Sequence, residues 1–207
     1  MPVANLEPDT LAAARVEDHR TPDAPIHPLL LRRWSPRAMS GEPIGDDQLL
    51  TLFEAARWAP SSINSQPWRF VYARRGTPEW NTFLDLLSEG NREWCVSAAV
   101  LLVIASRTLS DQGRPLRTHS FDAGAAWENL ALQASALGLV AHGMSGFDYD
   151  RARTELGIPT DCAVEAMVAI GKPAPKSVLS EKNQAREKPS GRRPVGELAF
   201  VGHWPRG

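Results

Sequence analysis

Four short segments carry the side chains that chemistry would use. The first, Arg32-Arg33-Trp34-Ser35-Pro36-Arg37, crowds three guanidinium groups and a hydroxyl into six positions. Like charges that close repel unless an anion lies between them, and guanidinium forks hold phosphate-like oxygens through several charge-assisted hydrogen bonds. The second segment, residues 59–70 (APSSINSQPWRF), sets Ser61, Ser62, Asn64, Ser65 and Gln66 between Pro60 and Pro67. A loop stiffened in this way can present hydroxyls and amides to the edge of a heterocycle. In the third, residues 137–147 (LGLVAHGMSGF), Gly143 and Gly146 flank Met144 and Ser145, so the backbone can approach a flat ring closely. The fourth, residues 189–194 (PSGRRP), adds Arg192 and Arg193. Singly, each segment also suits a plainer role, arginines pairing with surface carboxylates and Ser/Asn/Pro runs making turns. Jointly they describe a phosphate site, a polar edge and a flat face, the parts of a mononucleotide-like ligand.

Other chemistries lack their residues. No G-x-G-x-x-G follows a strand-like run and no G-x-x-x-x-G-K-[ST] is present, so neither a Rossmann dinucleotide site nor a P-loop is supported. His19, His27, His119, His142 and His203 are scattered without metal-ligand spacing, which argues against zinc. Ser145 in Gly143-Met144-Ser145-Gly146 stands one residue short of the G-x-S-x-G nucleophile elbow. Cys95 and Cys162 are far apart and beside apolar runs, which predicts reduced, buried thiols.

Positioning such segments needs a framework, and the chain has the material for one. Its 207 residues are 43% hydrophobic, enough for about one domain with a sizeable core. A net charge of -1 gives no general basic field for nucleic acid or acidic lipid, so the arginine clusters read as local anion sites. The longest apolar run, around Ala98 to Ser106, is far shorter than the roughly 20 residues that span a bilayer, and residues 1–25 lack the apolar core of a secretory signal. A cytoplasmic protein without nucleic-acid or membrane partners is expected.

Prolines at 2, 8, 22 and 25 mark residues 1–25 as an arm, with a short helix around Leu11 to Val16; residues 26–207 form the domain, its C-terminal arm starting at about 174. Asp46 and Asp47 suit a helix start, the apolar positions from Leu49 to Ala56 continue it, and Pro60 stops it. WRFVYA (68–73), AAVLLVIA (98–105) and AVEAMVAI (163–170) read as strands, and residues 81–87 as a helical piece. Ala123, Trp127, Leu130, Ala134 and Leu137 give the clearest helical stripe, ended by Gly138 with Leu139 placed for a Schellman contact. Leu198 to Val201 with Trp204 suggests an edge strand that reaches a second subunit. Strands separated by helices predict an α+β or α/β fold around a central mixed β-sheet.

FMN has all three parts that the chemical segments describe. Their order resembles the FMN-dependent nitroreductase family: an R-x-S-x-R at Arg33 to Arg37, a P-S-x-x-N-x-Q-P-W loop from Pro60 to Trp68, a D-x-G-x-A helix at Asp122 to Ala126, a G-L…G-F turn from Gly138 to Phe147, Gly171-Lys172-Pro173, and an arginine before proline at Arg193. The resemblance spans roughly residues 27–204 and implies an α+β homodimer with exchanged termini and FMN at the interface. By position, it implies that Arg33, Trp34, Ser35 and Arg37 meet the phosphate, the ribityl chain or the ring's pyrimidine edge, with Gln66 on the pyrimidine side. Arg192 and Arg193 would close the phosphate site. Pro60, Ser61, Ser62 and Asn64 would come from the partner subunit, and Met144, Ser145 and Gly146 would lie along the ring. The resemblance further implies NADH or NADPH as reductant, ping-pong kinetics and a nitroaromatic or quinone acceptor, with Trp58, Trp80, Trp94 and Phe147 as pocket walls or ordinary core. A dehalogenase, an azoline oxidase or a flavin-consuming protein on the same scaffold, and a flavin carrier, are the other readings.

Overall fold

In the computed structural model, which describes Val16 and residues 19–205, one sheet runs through the middle of the fold. The helix expected around Leu11 to Val16 lies outside the described residues except for Val16 itself. The strands are β1 (Trp68–Arg74), β2 (Val100–Arg107), β3 (Val140–Met144) and β4 (Cys162–Gly171), in the order β1-β2-β4-β3. Every hydrogen-bonded pair is antiparallel. This corrects the mixed sheet expected from the alternation of strands and helices. β2 and β3 both run against β4 and are therefore parallel to each other, joined by a crossover through α5. However, β4 inserts between them, so the unit is split and no parallel neighbours meet.

The helices are α1 (Pro28–Arg32), α2 (Asp46–Arg57), α3 (Trp80–Leu86), α4 (Glu89–Cys95), α5 (His119–Ala136), α6 (Tyr149–Glu155) and α7 (Glu181–Gln184). They cover both faces of the sheet, which explains the unbroken apolar run of β2: a strand buried on both sides cannot alternate with polar residues. Leu101, Val103 and Ala105 pack with Phe83, Leu86, Trp94 and Met167 on the face beneath α3 and α4. Val100, Leu102 and Ile104 pack with Leu49, Leu52, Leu130 and Val168 beneath α2 and α5. Leu130 is fully buried, and truncating such a leucine to alanine costs about 2–5 kcal/mol.

The end of α5 has the expected Schellman geometry. Gly138, at φ 68°, donates to Ser135 O at 3.1 Å, and Leu139 N donates to Ala134 O at 2.8 Å. A left-handed residue is required there, and it turns the chain straight into β3. That strand, like α4 and α6, is absent from the sequence-based expectation. The expected edge strand at Leu198 to Val201 is also corrected. Its residues follow a short turn at Val195–Glu197 and form no ladder, and Leu198, Phe200, Val201 and Trp204 are exposed.

One irregularity interrupts the β2–β4 ladder. Ile104 pairs with Ala166 but Ala105 pairs with Val164, so Glu165 is left as an extra residue. Such a bulge re-aims a side chain. The Glu165 carboxylate accepts from the Ser106 hydroxyl and, at 2.7 Å, from the Ser120 hydroxyl, while Ser106 Oγ lies 2.7 Å from His119 Nδ1. A polar knot thus ties the start of α5 to the sheet. Both cysteines are free and buried, and burial pushes the Cys95 thiol well above its usual range. Among the described residues, no helix is long and apolar enough to cross a membrane.

Candidate functional site

The segment from Leu31 to Ala38 has no ladder of its own over most of its length, so its backbone groups need partners elsewhere. Distant side chains supply them. Arg20 Nη1 donates to Leu31 O and Arg33 O, both at 2.7 Å. His142 Nδ1 lies 2.9 Å from Pro36 O. The Glu187 carboxylate, whose side chain is 5% exposed, accepts from Arg37 N at 2.8 and 3.0 Å and from Ala38 N at 2.8 Å. Burial drives the His142 pKa down to about 4, so the ring is neutral near pH 7 and donates to the Pro36 carbonyl while packing at a tilt against Trp94, with ring centres 4.7 Å apart.

The arginine cluster therefore finds part of its counter-charge within the chain. Arg33 Nε lies 3.3 Å from a Glu128 oxygen on α5, and Arg37 Nη1 lies 3.9 Å from Glu187. Burial and the neighbouring Arg186 lower the Arg37 pKa, and Glu187 opposes them. Trp34 and Ser35 are half-buried within the same loop. Arg192 is exposed and hydrogen-bonds the Ser190–Gly191 turn through Nη1, while Arg193 is exposed with no side-chain bond among the described residues.

The loop from Pro60 to Gln66 is built differently. Ile63, Asn64 and Gln66 have φ values of 49°, 56° and 45°, a left-handed conformation that costs non-glycine residues of order 1–3 kcal/mol each. Local bonds hold it: Asn64 N to Ser61 O at 3.1 Å, Ser65 N to Ser62 O at 3.0 Å, and Gln66 N to Ser61 Oγ at 3.0 Å. One outside anchor is buried Asp122, on α5. It accepts from Ser62 N and from the Thr118 hydroxyl, both at 3.1 Å. Ser65 Oγ is buried without a partner among the described residues. Ser62, Ile63, Asn64 and Gln66 are exposed.

At the end of β3, Met144 turns its side chain into the core, with its sulfur 3.5 Å from Cys95 Sγ, so only its backbone faces outward. Ser145 is exposed. Gly146 O accepts from Ser88 N and Asn91 Nδ2, both at 3.0 Å, and a Cβ on Gly146 would come within 2.7 Å of Asn91 Nδ2. A side chain there would have to displace the ends of Asn91 and Ser88. The His142–Pro36 bond therefore brings the arginine loop beside β3, and Arg20, which also donates to Ser190 O at 2.9 Å, brings in the turn carrying Arg192. Among the described residues, no hydrogen bond or ion pair joins residues 60–66 to any of these three segments. Trp80 and Phe147 are core residues, and Trp58 is 72% exposed with its indole N–H on Glu54. Trp94, also buried, lines a pocket of about 110 Å³ with Arg37, Met39 and Asn183.

The sequence marks the arginine loop, the glycine-flanked strand end and the 60–66 loop as candidate segments, but not Arg20, Asp122, His142 and Glu187, which hold them. Asp122 lay inside a recognised motif, and Arg20 and Glu187 in arms read as charged and irregular. A lone charged residue gives no periodic signal of the backbone it will meet.

Comparison with known proteins gives a consistent result. The nitroreductase family model matches residues 30–91 and 73–172. A crystal structure of an oxidoreductase containing FMN superposes with a TM-score of 0.87 at 49% identity, covering 90% of this chain and 96% of that one. An NADH dehydrogenase of Thermus thermophilus is 29% identical over 185 residues, 73% of this chain and 88% of its own length. An uncharacterized 15.4 kDa protein of Mycolicibacterium smegmatis is 32% identical over 145 residues, 66% of this chain and 97% of its own.

Proposed function

This chain belongs to the nitroreductase family, and on that premise we propose that it is an FMN enzyme that takes reducing equivalents from NAD(P)H and passes them to a nitroaromatic or quinone. The observation that carries the reading is the arginine loop fastened beside the glycine-flanked end of β3, with Arg192 at its margin. The residues present fit the cofactor. Gly146 adds no side chain beside the exposed Ser145, and Ser65 Oγ is a buried hydroxyl still without a partner among the described residues.

When bound, FMN supplies hydride acceptance at N5 and two-electron transfer. Arg33, Ser35 and Arg192, with Arg193 beside them, bind the phosphate. Arg37, held by Glu187, places positive charge at the pyrimidine edge, where charge accumulates on reduction. Ser145 and Gly146 line the ring through their backbone. No side chain need act as nucleophile or base, and the buried Cys95 thiol is unsuited to either role. Acceptor choice then rests on pocket shape, which discriminates by only about 1–3 kcal/mol per methylene-sized change, so a broad acceptor range is expected.

A second copy of the chain completes the site and supplies Pro60, Ser61, Ser62, Asn64 and Gln66. Two observations support this. Among the described residues, residues 60–66 make no bond to the arginine loop, the end of β3 or the Arg192 segment of their own chain, and the 110 Å³ pocket beside Arg37 is smaller than the roughly 300–1,000 Å³ that encloses a cofactor-sized ligand. The exposed side chains of Val195, Leu198, Val201 and Trp204 suit an arm exchanged between copies. The dimer works in the cytoplasm, where the nicotinamide donors are found.

Purified protein should be yellow, bleach on stopped-flow mixing with NADH or NADPH, and recolour with a nitroaromatic or quinone. Arg37→Ala combined with Arg192→Ala should elute mostly as apoprotein, since each lost charge-assisted bond is worth roughly 1.5–3 kcal/mol. Protein that takes up no FMN, or whose bound flavin neither nicotinamide reduces, would refute the reading.

A further inference from the structure

We infer that Arg20, in the N-terminal segment and outside the motifs of the cofactor site, is a phosphate-binding residue that completes a three-guanidinium site with Arg33 and Arg192. The inference rests on the FMN reading above and adds to it a residue and a ligand atom. Three facts carry it. First, the fork of Arg20 is fixed in place: Nε donates to Ser190 O at 2.9 Å, and Nη1 donates to Leu31 O and Arg33 O at 2.7 Å each. These bonds fix the plane of the guanidinium and leave Nη2 with no acceptor among the described residues. Second, Arg192 Nη1 reaches the same Ser190 oxygen at 3.4 Å, so the two guanidiniums converge on one carbonyl. Arg33, whose own carbonyl Arg20 holds, is the third. Third, the trio is short of negative charge. Glu128, on Arg33, is the one carboxylate paired with any of the three among the described residues.

Two positive charges are thus left over, and a phosphate monoester carries about -1.5 to -2 at pH 7. Burial lowers the Arg20 pKa, and the charges of Arg192 and Arg33 lower it further, as expected for cations gathered without an anion between them. The adjacent Val195 N–H bond to Asp23, at 2.7 Å, holds the segments around Arg20 and Arg192 side by side. The competing account makes Arg20 a strut that merely joins the two arms to the loop.

Apoprotein prepared from the full chain, titrated with FMN and with riboflavin, which lacks the phosphate, separates the two accounts. Arg20→Gln should weaken FMN binding by about tenfold or more and leave riboflavin binding within about twofold of wild type, so that retained riboflavin binding also certifies the fold. Arg20→Lys, which keeps the charge but not the fork, should recover part of the FMN affinity. An equal loss of FMN and riboflavin, or no loss of FMN affinity at all, overturns the inference while leaving the FMN reading intact. Wild-type protein that binds neither flavin overturns both.

Discussion

The two polar loops of the site reach rigidity by opposite routes. Residues 31–38 are unstrained, and side chains far away in sequence hold their backbone: Arg20, His142 and Glu187. Residues 60–66 carry three left-handed non-glycine residues and hold themselves by local bonds, with Asp122 as an outside anchor. A loop that is comfortable needs many restraints, because nothing in its own backbone prefers one shape. A loop stabilised by its own short-range bonds needs few, but it retains the strain in the folded state.

The contrast predicts a ranking of mutational effects. Glu187→Ala should cost the most, about 3–5 kcal/mol in denaturant unfolding, because it strands two amides and the partner charge of Arg37 in a mostly buried place. An effect no larger than that of the Asp122 substitution below would break the distinction between the loops.

Next comes pH. The folded His142 titrates at about 4 against an ordinary 6.5, so the unfolded chain binds the proton first as pH falls. Its contribution is therefore complete above about pH 6.5 and is lost progressively down to about pH 4, a change of roughly 3 kcal/mol. His142→Asn, which retains a donor for Pro36 O, should flatten that part of the stability profile; an unchanged slope would mean that another group carries it.

Asp122→Ala should cost about 2 kcal/mol through the lost Ser62 and Thr118 bonds, and Asp122→Asn less, since it keeps an acceptor. Amide exchange should quicken within residues 60–66 and not in 31–38. The smallest effect has the opposite sign. Ile63 is 85% exposed at φ 49°, so Ile63→Gly relieves strain at little packing cost and should stabilise by about 0.5–1 kcal/mol. The same change placed at Pro36 or Ser35 should give no such gain.

How much of this was legible in the sequence follows from the range of the interactions. The stripe of α5, its Gly138 cap and the unbroken apolar run of β2 are local signals, and each element formed within a few residues of expectation. The short strand β3 looks in the sequence like a glycine-flanked turn because Gly143 and His142 dilute its apolar pattern, and pairing with β4 is what makes it a strand. Antiparallel order was hidden for a related reason: which strand enters between β2 and β3 is decided by the sheet as a whole. In the site, residue types that bind a mononucleotide stand out in clusters. Their supports are single residues scattered from 20 to 187 along the chain, recognisable only once folding has brought them to a carbonyl or an amide.

The bulge at Glu165 gives the sheet a spare letter in its reading frame. Cys162 and Val164, on one side of it, and Met167 and Ala169, on the other, all pack on the α3–α4 face, although a regular alternation would have sent the first two to the opposite side. A deletion of Glu165 alone would therefore leave every apolar side chain on its present face, whereas deleting either neighbouring pair member, Val164 or Ala166, removes a residue that the ladder needs. Length variation in this strand is tolerable at one position, and the cost there is the knot with Ser106, His119 and Ser120 rather than the core.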